Sequence, residues 1–114
     1  MQTERLRIRA AEGTWVLRAG GAVIGESARA LELEEGDYPP VIYFPREDLG
    51  MAFLERSETT SVCPLKGTAS YFHIVAKSGR IRDAGWSYET PEAGAERIAG
   101  HIAFYKDKVT LERV

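Results

Sequence analysis

The sequence predicts a single mainly β domain with one or two short helices, built on a closed or folded-over sheet. Three observations predict this class. Short segments of alternating polar and apolar residues recur, glycine and proline separate most of them, and only one segment has clear helical periodicity. The chain has 114 residues, 44% of them hydrophobic, which suits one core and one domain over residues 1–114.

The clearest hairpin lies near the N-terminus. Trp15, Leu17 and Ala19 alternate with Val16 and Arg18, and the chain returns through residues 22–24. Gly20 and Gly21 stand between them, and glycine suits the two positive-φ positions of a tight hairpin turn. We therefore expect two paired strands here.

A second alternating segment, residues 29–34, predicts a half-buried strand that ends at Pro39-Pro40. Its polar face carries Glu32 and Glu34. Two carboxylates on one face can share a cation or act as an acid pair. A solvated sheet edge is the favoured interpretation.

One segment, about residues 46–55, predicts a short helix. Pro45 suits the position at which a helix begins, and acidic residues in the first turn complement the helix dipole. Leu49, Ala52 and Phe53 repeat at the i, i+3, i+4 spacing of a buried helical face.

The middle of the chain predicts two strands joined by a turn. Residues 58–62 form the first, residues 63–67 the turn, and residues 69–77 the longest strand of the protein. The longest strand has apolar residues on both faces, so we expect both faces to be covered.

The last third predicts a further strand with Trp86 and Tyr88 on one face, then a helical turn within residues 91–100. Residues 101–105 and 109–114 are predicted to form a closing hairpin.

Composition narrows the possible functions. Fifteen basic and seventeen acidic residues are scattered and give a net charge of -2, which argues against nucleic acid as a partner. Apolar stretches are too short to span a membrane. One cysteine and no secretory segment favour the cytoplasm. Cys63, His73 and His101 are too few for a structural zinc, so we expect no metal and no cofactor.

The one cysteine, Cys63, precedes Lys66 in the sequence "CPLKG". Thiolate is the reactive form of cysteine, and a nearby ammonium favours it. Cys63 and Lys66 are therefore our candidate catalytic residues. A small buried side chain before a turn is the commoner role of a lone cysteine, and it is the favoured interpretation.

Two positions are candidates for holding an anion. Lys66 either meets an anion as a point charge or is a solvated turn lysine. Arg46 and Asp48 stand beside Tyr43 where a strand meets the predicted helix. An arginine fork with free backbone N–H groups can hold an anion there, but an ordinary helix start has the same sequence.

Tyrosine and tryptophan are abundant for so small a core. Most of these side chains must be core, but their polar tips need partners, and at a cleft mouth they also serve as pocket walls. The candidate wall residues are Tyr43, Tyr71, Trp86 and Tyr88.

Five ordered segments extend the argument to a known family. They are "GGAVIGES", "YFPREDL", "CPLKGTASYF", "AGWSYETP" and "GHIAFYKDKV". Together they resemble the small bacterial family called domain of unknown function 427, from about Trp15 to the C-terminus.

The resemblance implies a β-tent fold similar to that of Mss4-like proteins, a curved antiparallel sheet folded over on itself. Relatives on that architecture often hold zinc with paired C-x-x-C motifs. Lys66 stands at the place of the second cysteine, which implies that zinc is lost. The family also carries a nucleotidyltransferase label, but the polymerase-type site needs spaced aspartates and no D-x-D occurs in this chain.

We therefore expect a small cytoplasmic domain with one pocket, in which Arg46 and Lys66 meet an anionic or polar small molecule and Cys63 lies at the floor. An enzyme that uses Cys63 activated by Lys66 is one alternative. A non-catalytic interaction module that adds a strand to a partner is another. The sequence leaves the ligand and the oligomeric state open.

Overall fold

A computed structural model describes residues 6–114, which contain ten β-strands and three 3₁₀ helices. The strands are β1 (Leu6–Ala10), β2 (Trp15–Ala19), β3 (Ala22–Ser27), β4 (Leu31–Glu35), β5 (Val41–Tyr43), β6 (Leu54–Cys63), β7 (Gly67–Ala76), β8 (Gly79–Tyr88), β9 (Ile102–Phe104) and β10 (Thr110–Arg113). The helices are η1 (Arg46–Asp48), η2 (Met51–Phe53) and η3 (Glu96–Ile98). Each of these helices is too short to cross a membrane.

The strands form three antiparallel sheets with the orders β1-β4-β5, β10-β2-β3 and β6-β7-β8-β9. Phe44 and Ile102 exchange two backbone hydrogen bonds of 2.8 and 2.9 Å, which join the end of β5 to β9. Gly25 and Leu49 form a second bridge, beside β3. The described residues form no closed barrel, and the mainly β class is confirmed. The β-tent arrangement stays a prediction.

The predicted hairpin is confirmed. β2 and β3 pair across Gly20 and Gly21, whose φ angles are +57° and +79°. Positive φ at both central residues gives the turn whose twist matches that of two antiparallel strands.

β4 lies between β1 and β5, so the prediction of a solvated edge for its acidic face is wrong. Arg7 and Arg9 of β1 bond to Glu34 at 2.9 and 3.0 Å, and Arg9 also reaches Glu32 at 3.4 Å. Opposite charges on facing strands stabilise the pairing, and the sequence reasoning missed it because the partner strand lies more than 20 residues away.

Two apolar clusters form the core. One gathers Leu17, Phe44 and Ile74 between the sheets, and the other gathers Leu33 and Tyr43 with residues of β7, β8 and η3. β7 contributes buried residues to both clusters, which confirms that both of its faces are covered.

The single helix predicted for residues 46–55 is wrong. Two 3₁₀ turns, η1 and η2, occupy this segment, and Leu54 already begins β6. Between the turns, Leu49 bridges to Gly25, and Gly50 N–H donates to the Ile24 carbonyl at 2.7 Å. Pairing with β3 therefore replaces the hydrogen bonds that a continuous helix would need.

The closing hairpin predicted for residues 101–105 and 109–114 is also wrong. β9 pairs with β8, whereas β10 crosses to β2. In that position Leu111 packs against one core cluster and Glu112 pairs with Arg18. The predicted helical turn within residues 91–100 is confirmed as η3.

Candidate functional site

The "CPLKG" corner joins β6 to β7 and aims Lys66 inward. Lys66 N–H donates to the Cys63 carbonyl at 3.2 Å and closes the turn. Gly67 has a φ of +112°, which few residues other than glycine adopt. Glu92 N–H donates to the Lys66 carbonyl at 3.0 Å, so the corner is also fixed to the chain that follows β8.

Lys66 forms an ion pair with Glu35, the last residue of β4. The Nζ atom lies 2.5 Å from Glu35 Oε1, and the two side chains are only 11% and 19% exposed. The same Nζ lies 5.8 Å from the centre of the Tyr88 ring. The interpretation of Lys66 as a solvated turn lysine is therefore wrong, because its ammonium sits among an acid and an aromatic face.

This ion pair forms part of the wall of a cavity of about 210 Å³, which we call the Lys66 cavity. Its other walls come from β4, β5, β7, β8 and the loops that follow β4 and β9. The lining residues are Leu33, Glu35, Tyr38, Pro39, Val41, Tyr43, Lys66, Tyr71, Trp86, Tyr88 and Tyr105. The structure therefore brings together Lys66 and all four aromatic residues that the sequence singled out.

The aromatic walls contact one another in a fixed arrangement. Trp86 Nε1 donates to the Tyr43 hydroxyl at 3.2 Å, and the Trp86 ring lies 4.6 Å from that of Tyr105. The Tyr71 ring stacks against Tyr105 at 6.5 Å, and the Tyr71 hydroxyl lies 2.9 Å from that of Ser61. Rings held by several partners form a rigid wall, which costs little further ordering when a ligand binds.

Burial is the largest cause that raises the pKa of three wall tyrosines above the usual value, namely Tyr43, Tyr88 and Tyr105. At Tyr105, the hydrogen bond with Tyr71 raises the pKa further. These hydroxyls stay protonated well above neutral pH, so they can donate hydrogen bonds as well as accept them.

The cavity therefore offers both donors and acceptors. A lysine ammonium has three N–H donors, and Glu35 Oε1 accepts one of them. Glu35 supplies a carboxylate acceptor and the tyrosines supply hydroxyls. A small molecule with an oxygen acceptor near a donor, and a flat apolar face, matches this set.

Arg46 lies outside this cavity. Its Nε donates to the Gly100 carbonyl at 2.7 Å, and its guanidinium pairs with Glu89 and lies over the Phe72 ring. Arg46 Nη2 also lies 3.5 Å from Ser87 Oγ. Ser87 follows Trp86 along β8, so its side chain points to the opposite face of that strand. The structure does not bring Arg46 and Lys66 together.

Asp48 also lies elsewhere, at the seam between η1 and β3. Ser27 Oγ donates to its Oδ2 at 2.6 Å, and Arg29 donates to its Oδ1 at 2.9 Å. These two donors, Arg29 first, hold the pKa of the Asp48 carboxyl below its usual value. Its observed contacts fix the loop after β3 to η1.

Cys63 is half-buried and packs against the second core cluster, but it is not among the residues that line the Lys66 cavity. His73 Nδ1 accepts the Asp83 N–H at 2.9 Å, and His101 Nδ1 lies 3.2 Å from the Ala99 carbonyl. In residues 6–114, neither histidine ring is hydrogen-bonded to the thiol, and no group of three or more potential ligands is placed to hold a metal. The enzyme alternative stays a prediction.

Sequence reasoning did not single out six of the lining residues, and three of the six carry polar side-chain groups, namely Glu35, Tyr38 and Tyr105. Glu35 had a signal, because the alternation that buries Leu31 and Leu33 continues to residue 35 on the same face. Tyr105 ends an apolar segment, and Tyr38 precedes Pro39-Pro40, but neither position indicates a pocket by itself.

One known family matches nearly the whole chain. Residues 7–114 match the family NTP_transf_9, described as "Domain of unknown function (DUF427)". The chain belongs to the DUF427 family. The resemblance seen in the sequence is thereby confirmed, whereas no curated protein matches the chain. The DUF427 description assigns no activity, so a function for this chain must be argued from the geometry of its site.

Proposed function

We propose that this DUF427 chain binds an anionic or polar small molecule in the Lys66 cavity. The observation that carries the proposal is the Lys66–Glu35 ion pair, held at 2.5 Å and faced by a wall of tyrosines and Trp86. A binding role for Arg46 and Asp48 finds no support in their contacts, since both are engaged away from this cavity.

Stability is a weak explanation for an ion pair with so little exposure. Removing two charges from water costs several kcal/mol per ion, and well-packed apolar residues often stabilise such a position as well or better. Lysine and glutamate are rarely found this far inside a protein unless they are paired. A role in recognition accounts for keeping both charges beside an open cavity.

Recognition would use the donors that Glu35 leaves available. A carboxylate or phosphate oxygen of the ligand accepts from Lys66 Nζ and from a protonated tyrosine such as Tyr88, while a ligand hydroxyl or amine donates to Glu35. A flat ring of the ligand packs on Trp86. Small-molecule sites commonly combine such apolar walls with a few placed polar groups.

A thermal-shift panel of anionic and polar metabolites tests the proposal, with benzoate, 4-hydroxybenzoate and simple sugar phosphates as first probes. We expect at least one probe to raise the Tm of the wild type and to lose this effect in Lys66→Met. Lys77→Met is the matched control, because Lys77 is exposed in the turn after β7. A hit that stabilises wild type and Lys66→Met equally would contradict the proposal, as would a panel without a hit.

A further inference from the structure

A second hollow of about 370 Å³ adjoins the Lys66 cavity, and we call it the apolar hollow. The two share five wall residues, which are Tyr38, Pro39, Val41, Trp86 and Tyr105. Beyond this shared wall, the apolar hollow is lined by Pro40, Ile42, Phe104, Lys106 and Leu111. The two spaces are therefore neighbours across one set of side chains.

The two spaces differ in chemistry. The Lys66 cavity contains an ion pair and several hydroxyls, whereas the wall of the apolar hollow is almost entirely hydrocarbon and aromatic carbon. Lys106 is the charged residue that lines the hollow. A molecule that occupies both spaces must be polar at one end and apolar at the other.

The shared wall is preformed and partly open to solvent. Tyr38 is 64% exposed and Tyr105 is 37% exposed, although both are large aromatic residues. Pro39 and Pro40 restrict the backbone between β4 and β5, so this side of the wall has few conformations to lose on binding. Exposed apolar side chains that border a hollow are typical of ligand-binding grooves.

We propose that the Lys66 cavity and the apolar hollow form one site for an amphipathic acid. Its anionic head meets Lys66 and the tyrosine hydroxyls, and its aromatic or short aliphatic body lies along Trp86 towards Leu111. This inference rests on the proposed function and deepens it, because it names the class of ligand. The five shared wall residues and the position of Lys66 at the polar end are the observations that carry it.

The body of the ligand would contribute affinity through buried area. Burying one methylene contributes about 0.8 kcal/mol, which is about fourfold in the dissociation constant. The affinity of a carboxylate series should therefore rise with chain length until the hollow is filled.

The probes are butyrate, hexanoate, 4-phenylbutyrate and the uncharged 4-phenylbutanol. The dissociation constants are measured by NMR titration from the indole N–H signal of Trp86, which lies in the shared wall and bonds to Tyr43.

We expect 4-phenylbutyrate to bind at least tenfold more tightly than butyrate. Leu111→Gln should remove most of this gain, and Lys66→Met should weaken both acids but not 4-phenylbutanol. Val62→Gln, at an exposed position on β6, is the matched control and should change nothing. The Tm of each variant shows that it is folded.

Each failure has its own meaning. Butyrate and 4-phenylbutyrate of equal affinity would overturn the amphipathic ligand and leave the proposed function standing. If affinity rises with probe length and Lys66→Met does not weaken the binding of the acids, both the anionic head and the proposed function would be overturned. Absence of binding by any probe would overturn the amphipathic acid, and the thermal-shift panel would then decide the proposed function alone.

Discussion

Replacing Lys66 with methionine tests how the ion pair and the cavity depend on each other. The ammonium lies 2.5 Å from Glu35 Oε1, and the side chains are 11% and 19% exposed. At an effective dielectric constant near 20, two unit charges this close attract by roughly 7 kcal/mol, but desolvation offsets most of that attraction. We expect a net coupling of about 1–3 kcal/mol, between the values for exposed and fully buried pairs.

Lys66→Met alone should lower the free energy of unfolding by more than Lys66→Met combined with Glu35→Gln. Lys66→Met leaves the Glu35 carboxylate sheltered without its partner, which should cost about 2–3 kcal/mol of unfolding free energy. At roughly 4 °C per kcal/mol for a domain of this size, the Tm should fall by about 10 °C. Lys66→Met with Glu35→Gln should recover to within about 1 kcal/mol of the wild type, because no unpaired charge remains.

Urea unfolding of the four proteins in this double-mutant cycle measures the coupling directly. The cycle needs the wild type, the two single variants and the double variant at pH 7. Additive effects, with a coupling below about 0.5 kcal/mol, would refute the reasoning, because the two residues would then not depend on each other.

Three further predictions concern other parts of the structure. Three wall tyrosines have raised pKa values, so Tyr88→Phe should leave unchanged the part of the 295 nm titration near the ordinary tyrosine pKa of about 10, and loss of a group that titrates there would contradict this. The three are Tyr43, Tyr88 and Tyr105. The pKa of Asp48 is lowered by Arg29, so its stabilisation is present at neutral pH and lost as the pH falls below 3.8. The difference in urea midpoint between wild type and Asp48→Asn should therefore shrink as the pH falls below 3.8, and a constant difference would argue against the ion pair. Gly25→Ala should lower the Tm by about 4–12 °C, because its Cβ would lie 2.6 Å from Leu49 Cδ2 and 2.8 Å from the Asp48 carbonyl oxygen; an unchanged Tm would contradict this contact.

Local patterns predicted local structure well. The Gly20-Gly21 turn needs only two glycines between alternating segments, and the hairpin follows. The segment at residues 46–55 has real helical spacing, but the bridge from Leu49 to Gly25 replaces the helix with two short turns. That bridge depends on β3, 20 or more residues earlier in the chain, and no local pattern contains it.

The same limit applies to the site. The sequence indicated Lys66 and the aromatic residues, because a lysine beside a turn glycine and a set of tyrosines are candidates for ligand binding by their residue types alone. It did not indicate that Glu35 would meet Lys66, or that Arg46 would bond to Gly100 on the other face of β8. Each of these pairs joins distant segments, and their meeting is decided by how the sheets fold over one another.

The most direct test of the Lys66 cavity is the affinity of one confirmed ligand for the wild type and for Lys66→Met, measured by isothermal titration calorimetry at pH 7. A hydrogen bond from a charged donor is worth about 1.5–3 kcal/mol, so the dissociation constant should rise by about 10- to 100-fold in the variant. Equal affinities in two folded proteins would contradict the claim that Lys66 anchors the ligand.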